Sequence, residues 1–485
     1  MMQKPAVSLS FVNHSGRTEE YRILKTSNYQ QDANHAKSKL DSVSPSFCLA
    51  KWNQVSLHLT TGLTNSCYHP PLHPIDPRAI EQNPARLHNT DQKLAERQEM
   101  LEGKRPPGCS YCWKIEDAGG VSDRIYRSGE PWAIQDFESI VGKPIDSEWT
   151  PRYVEVNFNH ACNFKCSYCS PQFSTTWAQE IDRYGQYPTS PAHNAPEHFQ
   201  GSRKPIPHRE DNPYVKAFWR WWPKLYKNLK HFRMTGGEPM MDHNTYRVLD
   251  YVIDNPKKDL HLNVTSNMCP PDPKLKTKYF DKVKRICLEE HVEHFMQFVS
   301  VDAFGPRAEY LRNGLDWNYF TDNVEEFLYR IPVRNSVTFI ITYNNLSVTS
   351  LDRLLEYIRQ LRQRFSTTYQ RVWFDIPLLR QPLWQQITLL PESYQQIHHD
   401  NIDMMQKFQE GVFKDPEWSE YAIYKDFEIQ KMQRNLAYWQ KNYSADAQQK
   451  KNFYAFFAEH DRRRGTSFLK TFPEMEEFWQ ECKSL

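Results

Sequence analysis

The sequence predicts an α/β fold built on a parallel sheet. From Tyr153 onward, six short β-rich runs alternate with amphipathic stretches. The runs are Tyr153–Phe158, His231–Met234, His261–Thr265, Phe295–Val301, Val337–Thr342 and Val372–Ile376. Segments of helical period separate them, among them His243–Asp254, Lys274–Glu289, Tyr319–Arg330 and Ser350–Arg364. Strands alternating with helices imply right-handed crossovers, hence a (β/α) sheet that is an open or closed barrel. In such a sheet reactive groups belong at the C-terminal ends of the strands, which is where the chemistry-bearing residues of this chain fall.

In chain order, residues 1–45 are polar, show no sustained period, and read as a weakly structured extension. Residues 46–148 carry Cys48, Cys67, Cys109 and Cys112 among prolines, a loop-rich segment that needs more than an apolar core to hold it. Residues 149–390 hold the six strands. About 183–215 within them, six prolines and several histidines predict a long inserted loop, either a lid over a substrate or a disordered insertion. Residues 391–485 read as a helical cap, with Tyr438, Trp439, Phe453, Phe456, Phe457, Phe478 and Trp479 as packing groups.

The 485 residues can bury a large core, and 61 Lys and Arg against 59 Asp and Glu give no field that implies nucleic acid or an anionic membrane as partner. No apolar run approaches 18 residues and the N-terminus is polar, so neither a membrane span nor a signal peptide is expected. Ten cysteines are too sparse for a disulfide scaffold, and the default setting is a reducing, cytoplasmic compartment.

Immediately after the first strand stands His160-Ala-Cys162-Asn-Phe-Lys-Cys166-Ser-Tyr168-Cys169. Three thiolates within eight residues of loop suit three corners of an iron–sulfur cubane and leave one iron open. A zinc knuckle with His160 as fourth ligand, or three buried thiols, is the plainer alternative. At the end of the second strand comes Gly236-Gly237-Glu238-Pro239, where paired glycines permit close backbone approach and Glu238 offers a carboxylate to an ammonium group.

Together these motifs resemble the radical SAM superfamily, over roughly Trp149 to Pro382. Tyr168 stands where that family has an aromatic residue before the third cysteine. Ser266 and Asn267 resemble its ribose-contact motif, and Ser300 with Arg312 its carboxylate contacts; Ile341–Asn345 matches its adenine segment poorly. The resemblance implies a partial (β/α)6, TIM-like barrel holding a 4Fe-4S cluster on Cys162, Cys166 and Cys169, with S-adenosylmethionine on the open iron. It also implies cofactor cleavage to a 5'-deoxyadenosyl radical that abstracts hydrogen from substrate, with a flavodoxin- or ferredoxin-type electron donor.

Cys48 and Cys67, spaced C-x13-G-x4-C, with the Cys109-x-x-Cys112 pair, make a four-thiolate metal site. On spacing alone zinc and iron–sulfur are both open. The spacing resembles the auxiliary-cluster turn of SPASM and twitch domains, placed before the barrel as in N-terminal twitch radical SAM proteins. That resemblance implies a second, fully ligated 4Fe-4S cluster that accepts an electron in a net oxidation.

The substrate expected by analogy is a peptide or protein side chain; a small molecule such as a sugar, cyclitol or nucleotide precursor is the alternative, and a non-catalytic metal-stabilised binding protein is the reading from another class. Cys269, near a strand end, is a hydrogen-donor candidate or a small buried thiol. Cys287 and Cys482 carry no expectation. His193, His198 and His208 read as solvated loop histidines, Trp219, Trp221 and Trp222 as packing groups, and Arg462–Arg464 as a solvated helix end.

Overall fold

A computed structural model describes residues 9–12, 18–21, 26–201, 204–207, 210–411 and 421–485, so His208 lies outside the described residues. The chain divides into two compact units. One comprises residues 1–57, 64–154 and 216–229; the other comprises 58–63, 155–215 and 230–485.

The second unit is a mixed α/β body around a parallel central sheet. Its strands are β1 (Tyr153–Asn157, entered at Glu155), β2 (His231–Thr235), β3 (Lys257–Ser266), β4 (Val292–Ser300), β5 (Ser336–Ile340) and β6 (Val372–Asp375). They lie in the order β1-β2-β3-β4-β5-β6. Each neighbouring pair from β2 to β6 is parallel, with registers such as Phe298↔Thr265 and Phe298↔Thr338. Apolar residues dominate these strands because both faces are covered: Phe232, Met234, Leu262, Val264, Phe295, Val299, Val337, Phe339 and Val372 are all buried.

The crossovers match the expected periods. Helices α1 (Thr175–Tyr184), α2 (His243–Asp254), α3 (Pro273–Leu288), α4 (Trp317–Arg330) and α5 (Leu351–Phe365) follow β1 to β5. Asp242, Asp272 and Asp316 cap α2, α3 and α4 by accepting from the backbone N–H groups of Asn244, Lys274 and Tyr319. β3 and β4 start three or four residues earlier than the hydrophobic runs predict, because Lys257–Asp259 and Glu293–His294 extend the ladder with polar residues that break the apolar run. No helix among the described residues is long and apolar enough to cross a membrane.

C-terminal to the sheet, α6 (Ala447–Arg464) buries Phe453, Phe456 and Phe457. Trp439, Phe478 and Trp479 of the flanking helices are buried as well, whereas Tyr438 is exposed. The 183–215 segment is fastened to α6. Ser190 donates its N–H to Asn452 Oδ1 (2.8 Å) and accepts from Asn452 Nδ2 (2.7 Å), and Tyr187 stacks on Phe456 at 4.5 Å. His193 is not solvated as expected; it sits among Trp177, Tyr187, Trp384 and Phe456, and burial pushes it down to about 4. The Arg462–Arg464 run also departs from expectation. Arg463 and Arg464 have side chains only 1% exposed and pair with Glu180 of α1, itself 2% exposed.

The first unit holds a pair of antiparallel strands, Leu9–Val12 with Thr18–Tyr21, and a helix over Thr26–Asp41, where the sequence showed no period. Its anchors Ala33, Ala36 and Leu40 give little amphipathic signal because two of the three are alanines. The cysteine-bearing segment is made of short helices: Ala50–Asn53, Pro77–Gln82, Asp91–Leu101, Ser110–Asp117 and Asp123–Gly129 among them. Phe47, Leu49, Trp52, Trp132, Phe137, Trp149 and Tyr153 form its main apolar cluster. Trp221 and Trp222 are buried, so neither is a platform on which a base stacks.

Candidate metal centres

In the second unit the three-cysteine loop leaves β1 and is clamped by its own backbone before any metal is considered. Thr175 N–H donates to His160 O (3.0 Å), Ser174 Oγ to Phe164 O (2.6 Å) and Trp177 Nε1 to Cys166 O (2.9 Å). Lys165–Cys166 forms an antiparallel bridge with Arg312–Asn313, and Arg464 Nη1 donates to Lys165 O (3.1 Å).

The glycine pair packs closely at the end of β2. Its close approach is to this loop: Gly237 N–H donates to Asn159 O (3.2 Å) and Glu238 N–H to Ala161 O (2.6 Å). Gly236 sits at φ +122°, and a Cβ on Gly237 would lie 2.3 Å from Ala161 O. Gly237→Ala is therefore expected to cost about 1–3 kcal/mol by overpacking against backbone that cannot yield, read as a lower urea midpoint with unchanged slope.

Cys162, Cys166 and Cys169 are electrostatically coupled to one another. Burial pushes all three thiols up, Cys169 to about 12, so any metal bound here must displace protons. The donor set of three thiols on one tight, clamped loop fits an iron–sulfur cluster with an open iron.

Around the loop stand the other predicted residues. Glu238 is buried, and its carboxylate joins the ends of β2 and β3, accepting from Met240 N–H (3.0 Å), Ser266 Oγ (2.8 Å) and Asn267 N–H (2.7 Å). Burial pushes it up to about 7 against these three bonds. Pro239 opens the turn Pro239–Met241. Ser300 ends β4 and is half-buried. Cys269 is buried, with its thiol at 3.8 Å from Asp316 O and pushed up to about 12 by burial.

Arg312 and Tyr168 meet on Asp302, two residues beyond the predicted Ser300. Asp302, fully buried, approaches Arg312 to 2.8 Å as an ion pair and accepts from Tyr168 Oη (2.7 Å) and Thr342 N–H (2.9 Å). Arg312 also donates to Tyr168 Oη (2.6 Å) and to Cys166 Sγ (3.6 Å). Asn163 was missed as well: it donates to Cys269 O (2.7 Å) and accepts from Asn267 Nδ2 (3.0 Å), tying the cysteine loop to the end of β3. Its position between two of the loop cysteines was the signal available.

In the first unit Cys48, Cys67, Cys109 and Cys112, distant in sequence, line one cavity of roughly 410 Å³ including its mouth. All are free thiols. Burial pushes Cys67 and Cys112 up to about 12. Lys51, Arg124 and Arg127 stand in the same wall. Burial alone would lower the Lys51 ammonium, yet Cys109 and Glu96 beside it hold it above its ordinary value. Four thiols with cations around one cavity fit an anionic metal–thiolate centre. No group of three or more His, Cys, Asp or Glu among the described residues is arranged to hold a single metal ion.

No family model and no curated protein matches the sequence. Among solved structures, the chain is similar to the crystal structure of Streptococcus suis SuiB, at 11% identity and a TM-score of 0.36, over 73% of this chain and 68% of that one. At that score the likeness says nothing about activity.

Proposed function

We propose that the chain is a radical S-adenosylmethionine enzyme whose second unit is a partial (β/α)6 barrel, and that it carries out an oxidative modification of a peptide or protein side chain. The observation that carries this reading is the clamped three-cysteine loop at the end of β1, stitched to the glycine–glutamate turn at the end of β2. Cys162, Cys166 and Cys169 would hold the 4Fe-4S cluster, and Cys48, Cys67, Cys109 and Cys112 a second one that takes up the surplus electron. When bound and reduced, the first cluster supplies one electron to S-adenosylmethionine and so a 5'-deoxyadenosyl radical.

The chain's own residues do the positioning. The Asp302–Arg312–Tyr168 network fixes the loop against the ends of β4 and β5, and Asn163 and Asn267 fix it against the end of β3. A flavodoxin or ferredoxin of the cytoplasm is the proposed electron donor.

Anaerobic reconstitution tests the reading. Wild-type chain is expected to bind about eight irons and to release 5'-deoxyadenosine under reducing conditions, and Cys109→Ala to bind about four. A wild type that takes up iron but never cleaves the cofactor would favour a non-catalytic binding protein. About four irons in both forms would return the four-cysteine cavity to zinc.

A further inference from the structure

Behind the four-cysteine cavity lie three buried basic side chains, Lys51, Lys93 and Arg97, of which Lys93 is pushed well below its ordinary value by burial. Lys51, in the cavity wall, has a side chain 2% exposed and forms an ion pair with Glu96 at 2.5 Å. Arg97, fully buried, donates to the neutral acceptors Lys51 O (3.2 Å) and Asn89 Oδ1 (2.9 Å) and lies 2.9 Å from His88 Nε2, which is itself 2.7 Å from Trp52 O. Lys93, also fully buried, donates to Thr64 Oγ1 (3.0 Å). Glu96 is the carboxylate with which these three bases are coupled. Lys51 is the member of this group that lines the cavity with the four cysteines, where a buried cation and metal-bound thiolates would offset each other's charge.

We propose that Lys51 is a positioning residue for electron transfer: its ammonium is the fixed counter-charge that raises the reduction potential of the centre held by Cys48, Cys67, Cys109 and Cys112, with Glu96 acting in the opposite sense. The inference rests on the reading that this centre is an iron–sulfur cluster. One-electron reduction adds one negative charge to such a centre and makes or breaks no bond. A buried cation beside a ligand sulfur stabilises the reduced form more than the oxidised one, and in a low-dielectric wall that difference is large. A neighbouring carboxylate does the reverse. Arg124 and Arg127 line the same cavity and pair with Glu116, Asp41 and Glu130, whereas Lys51 is held above its ordinary value by Cys109 as well as by its carboxylate Glu96.

The test is a dithionite titration monitored by electron paramagnetic resonance, on the full chain with Cys162, Cys166 and Cys169 all replaced by alanine so that one cluster remains. Lys51→Met is expected to lower the reduced-to-oxidised ratio at fixed potential at least tenfold, which for a one-electron couple is 59 mV. Glu96→Gln is expected to raise it, and Lys51→Arg to restore it toward the parent. Opposite shifts from the two members of one ion pair are what a structural role would not produce. If the parent binds no iron, the cluster reading falls and the inference with it. If about four irons bind and Lys51→Met leaves the potential unmoved, the inference alone is overturned. Should Lys51→Met fail to take up iron, Glu96→Gln decides, since it keeps Lys51, and an unchanged or lowered ratio overturns the proposal.

Discussion

Cys166→Ala is expected to reduce 5'-deoxyadenosine release to background while the second unit stays folded. Of the three loop thiols Cys166 is the most enclosed, 9% exposed, and it is the one that meets Arg312. Its backbone carries the structural load: the bridge to Arg312 and the bond from Trp177 Nε1 to its carbonyl are both kept by alanine. The substitution therefore removes a ligand and little else. A cubane left with two thiolates on the loop has lost the support that an open iron requires, so iron is expected to fall from about eight to about four per chain, with the remainder on the four-cysteine cavity. Cys287→Ala is the matched control, because Cys287 is buried in α3 and has no assigned role. It is expected to keep both iron and turnover. Full turnover in Cys166→Ala would sink the assignment of this loop, as would equal loss in Cys287→Ala.

How much of this was legible in the sequence depends on whether the signal was local. The six strands were visible because each places buried apolar residues in a short β-rich run, several at every second position, and the helices because their apolar faces recur at helical period. The cysteine loop and the Gly236-Gly237 turn were visible as short motifs. What the turn touches was not: the sequence showed a need for close approach, and the structure supplies Ala161 O as the surface approached. The four-cysteine set was found by counting, and the shared cavity brings together residues up to 64 positions apart.

Several of the misses are pairings of charge, beside the neutral Asn163 and the aromatic-packed His193. Arg463 and Arg464 look like a solvated run until Glu180, more than 280 residues earlier, is placed beside them. Lys51 and Glu96 look like ordinary surface residues in a loop-rich segment; only burial makes them a charge pair beside the four-cysteine cavity. Asp302 lies two residues beyond Ser300 and ten before its partner Arg312, yet its neighbour Tyr168 comes from the loop after β1, 134 residues earlier. Composition and periodicity carry the fold, whereas the polar pairs that tune a site are written only in three dimensions.

Asp302 is also where the largest loss of stability is expected. Its carboxylate is 0% exposed and its partner Arg312 is 7% exposed. Asp302→Ala leaves a buried guanidinium with Tyr168 Oη and Cys166 Sγ as neighbours and no carboxylate, and it strips Thr342 N–H and Tyr168 Oη of an acceptor. Breaking a buried pair on one side costs about 3–5 kcal/mol, because the surviving charge keeps its desolvation penalty. The exposed i,i+4 pair Arg285–Glu289 is the comparison, and its loss is expected to cost well under about 1 kcal/mol. Urea unfolding of the iron-free chain separates this effect from cluster loss, since bound metal adds its own free energy to folding. Removing both charges should recover much of the loss: Asp302→Leu with Arg312→Met is expected to be closer to the parent than Asp302→Ala alone. If the double variant is as unstable as the single one, the damage comes from the missing acceptor for Thr342 and Tyr168. If Asp302→Ala costs no more than the surface control, the network does not hold the loop. In that event the cysteines would owe their clamp to the bonds that the loop carbonyls accept from Thr175, Ser174, Trp177 and the Gly237–Glu238 turn, and to the strand bridge with Arg312–Asn313.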